Sequence, residues 1–511
     1  MVLRKSVSAM VVVVLGIASQ GLADLPTNFD LRAVNGQQYV STRIDDQVGP
    51  GPCWAFAALT SVESNIRIND LWDGVANDLN LSEQFLRANE TTGTTWPEDS
   101  PGFNRRVNSG GQVPVAVSHM ARLHGPLYES QCPFEYKGDF RDNFGYYDET
   151  ITTPSGNEYP DPATANWPHA RPYPAEYTSD AEGAYFLRKS YGVSGRDAIK
   201  QKVMDVGAPY VRIQHEFNAF DNETNTYYDD GTVEGEGLGG HGVNIIGWDD
   251  SKEVPGAPNP GAWLIKHSHE VDDQDPDYSD YAGQAPTYFW VSYETSTDRF
   301  TDRGEVTFFE MGSKDDIQSV YFHDYTGNLN NSVYLPDNAS NGGVADPSVC
   351  AQVFQAGSEG DQIGIVSFFT RNDAQPFEVR IFDNIAALEA GADPLGEVTG
   401  VADVAGYHTV DLADTVEVAP NDDFVVFLDF TDGADQVMAY TNDGTGNTGS
   451  VEMIENNWCY YFDTVDGQWE DVADDWDGQA FTVKAYGVVP EPAMLSLLAV
   501  AAVGLLRRRH R

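Results

Sequence analysis

The sequence predicts an α+β fold in which a mixed helical and β-rich unit is followed by an antiparallel β-sandwich. Three observations carry this. Between residues 53 and 123, apolar residues recur at helical spacing in three separate segments. Between residues 209 and 293, short β-rich segments take over. From about Gly312 to Gly487 nearly every segment is a short strand closed by Gly, Asn or Asp turns. At 511 residues the chain exceeds what one core usually serves, so two or three domains are expected.

The first helix is expected over residues 53–70. Ala55, Phe56, Ala58, Leu59, Val62 and Ile66 mark one apolar face, with Ser61, Ser64, Asn65 and Arg67 between them. Pro52 suits a helix start and no interior position, so the helix begins at or near Cys53. That puts a thiol among unpaired N–H groups at the positive end of a dipole, both of which favour the thiolate. A second helix opens at LSEQF, with Ser82 as its N-cap. A turn at NSGGQ precedes a third, over residues 113–123. Residues 134–181, rich in Pro, Tyr, Asp and Asn, show no sustained period and read as a surface insertion.

A short helix is expected at 197–206, a strand at 209–213, and paired strands at 240–248 and 262–266 about a turn at 254–260. Another strand covers 288–293. In the C-terminal part, strands are expected at 363–369, 377–382, 424–430 and 481–486, with one brief helix at 386–390.

The formal net charge of −49, from 79 acidic and 30 basic residues, argues against a phosphate-reading surface and hence against nucleic acid as partner. The four cysteines, Cys53, Cys132, Cys350 and Cys459, form no C-x-x-C pair, so no zinc or other metal site is expected from them. Cys350 and Cys459 could pair in an oxidising compartment, and Cys132 has no evident partner. Asp272, Asp273, Asp275, Asp277 and Asp280 could hold Ca²⁺, but they lack the glycine and terminal glutamate of an EF-hand loop and read better as a solvated loop. No other cofactor is expected.

Both ends read as addresses. Arg4 and Lys5, an apolar run over 7–18 and small residues to Ala23 make a secretory signal peptide over 1–23. At the other end, Pro490-Glu491-Pro492 precedes an apolar run over 493–506 and Arg507, Arg508 and Arg509. That run is short of the roughly 20 residues a stable span needs. The segment 488–511 resembles a PEP-CTERM sorting signal. The resemblance implies a bacterial exported protein at the cell envelope or beyond it, with an exosortase-type processing enzyme as partner. The expected units are then 24–312 and 313–487.

A thiol hydrolase needs a nucleophile, a base, a group that orients the base, and oxyanion donors. Cys53 is the candidate nucleophile and His241, flanked by glycines, the candidate base. The ordered set QVGPGPCWAFA, LSEQFL, NSGGQ, GGHGVNIIGWDD and GAWLIKHS resembles the papain-like cysteine peptidases over residues 25–293. The resemblance implies a two-lobed catalytic domain, one lobe helical and one β-barrel-like. It implies hydrolysis of protein or peptide substrates through a Cys53 acyl-enzyme, with His241 as imidazolium partner. Gln47 falls on the oxyanion-hole glutamine, Gly110 and Gly111 on the glycines that hold an extended substrate, and Trp54 beside them. Where the family has Asn-Ser-Trp, this chain has His267-Ser268-His269. His267 can accept a hydrogen bond through a neutral ring nitrogen, but once protonated it repels the His241 imidazolium. The family cysteine three residues before the nucleophile is Pro50 here, and the shielding tryptophan is missing. Segments such as PFEVRIFDN and FTVKAYG resemble the lectin-like β-domain that follows some of these peptidases; such a domain could bind cell-surface or matrix polysaccharide or serve equally as a structural or docking module. The resulting expectation is an exported cysteine peptidase weakened or made acid-sensitive at His267; the alternative is an inactive peptidase fold acting as an envelope binding protein.

Overall fold

The computed structural model describes residues 25–43, 52–74, 76–88, 111–123, 125–134, 150–152, 158–160, 185–233, 237–268, 287–301, 305–315, 317–323, 349–430, 458–463, 468–471 and 481–489. The leader, most of the 134–181 insertion and the PEP-CTERM-like motif lie outside these residues. Among them, no helix is long and apolar enough to cross a membrane.

The Cys53–Ile68 helix sits at the centre of the N-terminal half, with Pro52 immediately before its first residue. Its apolar side packs with Leu81 and with Leu86, Val115 and Met120 from two further helices, Glu83–Ala88 and Val113–Ala121. Ser82 caps the first of these, its hydroxyl accepting the Phe85 N–H at 2.9 Å. The polar side of the Cys53 helix is not solvated. Ser61, Glu63, Ser64 and Asn65 are buried as well, because the β-rich half closes over them. Ser61 Oγ donates to the Ala208 carbonyl, and Ser64 Oγ accepts the Ala208 N–H. Asn65 donates to the Val206 carbonyl at 2.9 Å and accepts the Met311 N–H at 2.8 Å. Between them lies Gly207 at φ +116°, where a Cβ would meet Ser64 Oγ at 2.7 Å.

The β-rich half is built on antiparallel strands Tyr210–Glu216, Gly237–Asp249, Ala262–Lys266 and Tyr288–Ser292, paired in that order. The strands expected at 240–248 and 262–266 do pair. Buried Ile213, Val243, Ile245, Ile265 and Phe289 make the core of this half, with the Arg196–Asp205 helix adding Ile199 and Val203. The short Asn28–Asp30 strand closes on the far end of Gly237–Asp249, and Trp248 Nε1 donates to the Pro26 carbonyl.

In the C-terminal half two antiparallel layers face each other. One contains Asp361–Thr370 and Lys484–Val488; the other contains Gln375–Phe382, Val349–Gln355 and Asp423–Asp429. Ile363, Val366 and Phe368 from the first meet Val379, Ile381, Phe424, Val426 and Leu428 from the second, as an antiparallel β-sandwich requires. The brief helix forms at Ile385–Glu389, capped by Asn384. The last strand starts at Lys484, not at Phe481. No disulfide joins Cys350 and Cys459, both of which are buried. They sit on adjacent strands but out of register, with Cys350 opposite Tyr461 and Cys459 opposite Gln352.

The sheet does not break between the two halves. The Tyr185–Ser194 strand pairs with Glu305–Ser313 along its length, and Lys189, Ser190 and Tyr191 pair with His408, Tyr407 and Gly406 of Gly406–Val418. At the same seam the Tyr486 hydroxyl donates to the Ala121 carbonyl at 2.7 Å and lies 2.7 Å from the Tyr407 hydroxyl.

Candidate active site

Cys53 is the first residue of its helix and half-buried. Burial pushes its thiol above the ordinary value; hydrogen bonds from the backbone N–H groups of Gly242, Trp54 and Cys53 itself pull it back only in part. The helix terminus alone therefore does not yield a thiolate here, contrary to the expectation from position. A cationic neighbour has to supply the remainder.

The candidate base, His241, lies on the Gly237–Asp249 strand. Gly242 reaches Cys53 through its N–H, and a Cβ on it would lie 3.2 Å from the Cys53 carbonyl oxygen. His241 precedes Gly242 on this strand, its backbone next to that contact. Asn244, two residues later, donates to the Ala57 carbonyl at 2.8 Å and to the Pro209 carbonyl at 3.1 Å, tying strand and helix together. It was missed in the sequence, where the only signal is one amide inside an apolar strand.

His267 follows the Ala262–Lys266 strand, its backbone N–H held by the Thr287 carbonyl. Its Nδ1 lies 3.3 Å from His241 Nε2. Only one of these two nitrogens can carry a proton if they are to share a hydrogen bond. With His241 as imidazolium, His267 must be neutral and protonated on Nε2. Although the family tryptophan is absent, His267 is only 3 % exposed. The buried Phe289 ring packs edge-on against it, with centroids 5.3 Å apart.

A third imidazole, His215 on the Tyr210–Glu216 strand, completes the cluster. Its ring centroid is 6.0 Å from that of His241 and 6.5 Å from that of His267, and it is fully buried. A lone His in an alternating strand gives no sequence signature. Among the described residues no group of three or more His, Cys, Asp or Glu side chains is arranged to hold a metal ion.

Trp54 is 2 % exposed and belongs to the helical core. A Cβ at Gly111 would stand 2.6 Å from the indole, so the Gly111 backbone lies directly on this ring. The indole thus supports the Gly111 backbone from below. Gln47, Gly110, His269 and the acidic run Asp272 to Asp280 lie outside the described residues.

Comparison with known proteins places this geometry in context. A lectin-like domain profile matches residues 320–487. Among curated proteins no sequence match is significant. The solved structure of Cwp84, a clostridial cysteine protease, after propeptide cleavage is similar in fold with a TM-score of 0.63. It is 17% identical, covering 88% of this chain and 97% of that one. The structure of the cysteine protease and lectin-like domains of Cwp84, a surface-layer-associated protein of Clostridium difficile, gives a TM-score of 0.65. There the identity is 16%, covering 92% of this chain and 90% of that one. The Papain family cysteine protease profile matches residues 25–282, just over half of the chain, and the chain belongs to that family.

Proposed function

We propose that the chain is an exported cysteine peptidase that cleaves peptide bonds through an acyl-enzyme on Cys53. The observation that carries this is the junction itself: the residue after His241 contacts the Cys53 sulfur, while His241 Nε2 faces His267 Nδ1 at 3.3 Å. Transfer of the thiol proton to His241 makes a thiolate–imidazolium pair and offsets the cost of burying the thiolate. The thiolate attacks the scissile carbonyl carbon. The resulting oxyanion is met by the Cys53 N–H and, on the family pattern, the Gln47 amide. His241 then gives its proton to the leaving nitrogen as the C–N bond breaks. Water, deprotonated by His241, hydrolyses the thioester and restores the thiol.

In this scheme His267 is a positioning residue that accepts from the imidazolium, and Gly110 and Gly111 carry the extended substrate backbone as an added strand. The lectin-like half would hold the enzyme near a surface or matrix polysaccharide. Leader removal at residue 23 and processing of the 488–511 segment by an exosortase-type enzyme would place it at the envelope or outside. The surface-layer association of the clostridial protein supports that location.

The test is hydrolysis of a quenched fluorescent protein substrate by the chain spanning 24–487. Turnover abolished by Cys53→Ser and by His241→Ala is expected. Binding of peptide without turnover in the wild-type chain would instead favour a binding protein built on a peptidase fold.

A further inference from the structure

In a chain with 79 acidic and 30 basic residues, a cation near the nucleophile with no carboxylate partner among the described residues is conspicuous. Arg212 is such a group. Among the described residues its side chain has one polar partner, the neutral Gln214, whose Oε1 accepts from Nη2 at 3.0 Å. By contrast, Arg32, Arg188, Lys200, Arg299 and Arg380 each face a carboxylate.

The strand register fixes where Arg212 points. Tyr210, Arg212 and Gln214 pair with Asn244, Gly242 and Gly240 in turn, so all six share one face of the sheet. Cys53 lies against this face, since a Cβ on Gly242 would come 3.2 Å from the Cys53 carbonyl oxygen and 3.0 Å from the Tyr210 hydroxyl. Glycine at 240 and 242 lets neighbouring groups lie directly on the strand: Tyr210 and Cys53 cover the buried Gly242, and the guanidinium crosses the exposed Gly240, its Nε 2.8 Å from where a Gly240 Cβ would be. Directly paired strand residues are roughly 5 Å apart, and an extended peptide advances about 3.3 Å per residue. A substrate bound at Cys53 therefore brings a side chain within two residues of its scissile bond to the half-buried Arg212.

We propose that Arg212 selects substrates bearing an acidic side chain, Asp or Glu, within two residues of the bond cut. The proposal rests on Cys53 opening a peptide-binding cleft. A carboxylate reaching Arg212 forms a charge-assisted, forked pair that a neutral amide of the same shape cannot match. The chain's overall negative charge opposes acidic peptides, but over distances beyond roughly 8 Å it is screened at physiological ionic strength, whereas the contact is not.

The test compares kcat/KM for peptides that differ only in Glu or Gln at each position up to two residues either side of the cleavage point. In the wild-type chain the Glu:Gln ratio is expected to be about 10 to 100 at one position. Arg212→Gln brings that ratio close to one, and Arg212→Glu inverts the preference towards Lys. A wild-type ratio near one at every position, or a ratio unmoved by Arg212→Gln, overturns the proposal. The same peptide pairs are measured for binding to the Cys53→Ala chain by fluorescence anisotropy. An Arg212-dependent Glu preference there, with no turnover by the wild-type chain, refutes the peptidase reading and leaves this one standing. Equal binding of Glu and Gln peptides overturns this one.

Discussion

In the proposed mechanism His267 stands where the papain-like pattern has asparagine, an acceptor whose chemistry does not change with pH. A neutral His267 ring offers Nδ1 to the His241 imidazolium; protonation turns that nitrogen into a donor facing another donor at 3.3 Å. As pH falls, the wild-type site loses the arrangement that holds His241, and the buried pair cannot accept two charges. His267→Asn restores a fixed carbonyl acceptor. The acid limb of kcat/KM, followed between about pH 5 and 8, should therefore move to lower pH in His267→Asn; superimposable limbs would sink the idea. Cys53 gives a second expectation. Burial raises its thiol and the backbone N–H groups around it counter that only in part, so in the proposed ion pair the His241 cation supplies the rest. In His241→Ala, alkylation by iodoacetamide should climb with pH through and beyond the ordinary thiol range. The wild-type chain should instead plateau near neutrality, and identical profiles would show that no ion pair forms.

The Cys53–Ile68 helix shows how far local rules carry. Its start was legible because proline tolerates one place in a helix, and Ser82 was legible as a cap for the same kind of local reason. Its polar face was not, since Ser61, Ser64 and Asn65 look solvent-facing until the Val206–Ala208 backbone arrives against them. Removing the Asn65 side chain leaves the Val206 carbonyl and the Met311 N–H buried and unsatisfied, at a cost of about 2–4 kcal/mol. Urea unfolding of Asn65→Ala is the measurement, and a loss under 1 kcal/mol would mean that water replaces the amide. Motif order located Cys53, His241 and His267, because each sits in a run whose neighbours are constrained too. Asn244, His215 and Arg212 became visible only through strand register and packing, which no local pattern encodes.

On the scale of the whole molecule, the two halves share a sheet and a buried hydroxyl network in place of a linker. The Tyr185–Ser194 strand is paired on both sides, by Glu305–Ser313 and by Gly406–Val418. Arg188 pairs with Asp411 and Lys189 with Asp403 across the same seam. The composition change near Gly312 gave no hint that one sheet crosses it, because the paired residues of Tyr185–Ser194 and Gly406–Val418 lie more than 200 residues apart. A chain ending at residue 312 would bare a strand edge and the aromatic rings now covered by Tyr407 and Tyr486. It is expected to aggregate, whereas the 24–487 chain should unfold in one transition seen by both halves. Tyr486→Phe, which leaves the Ala121 carbonyl without its donor, should cost about 1–3 kcal/mol in that transition. Two well-separated transitions in the intact chain would show that the halves are independent.

The most direct test of the Cys53–His241–His267 site is labelling by an electrophilic peptide, with the modified residue identified by mass spectrometry. One adduct is expected, on Cys53, formed rapidly in the wild-type chain, absent in Cys53→Ser and strongly slowed in His241→Ala. Labelling spread over Cys132, Cys350 and Cys459, or Cys53 labelled equally fast without His241, would contradict it.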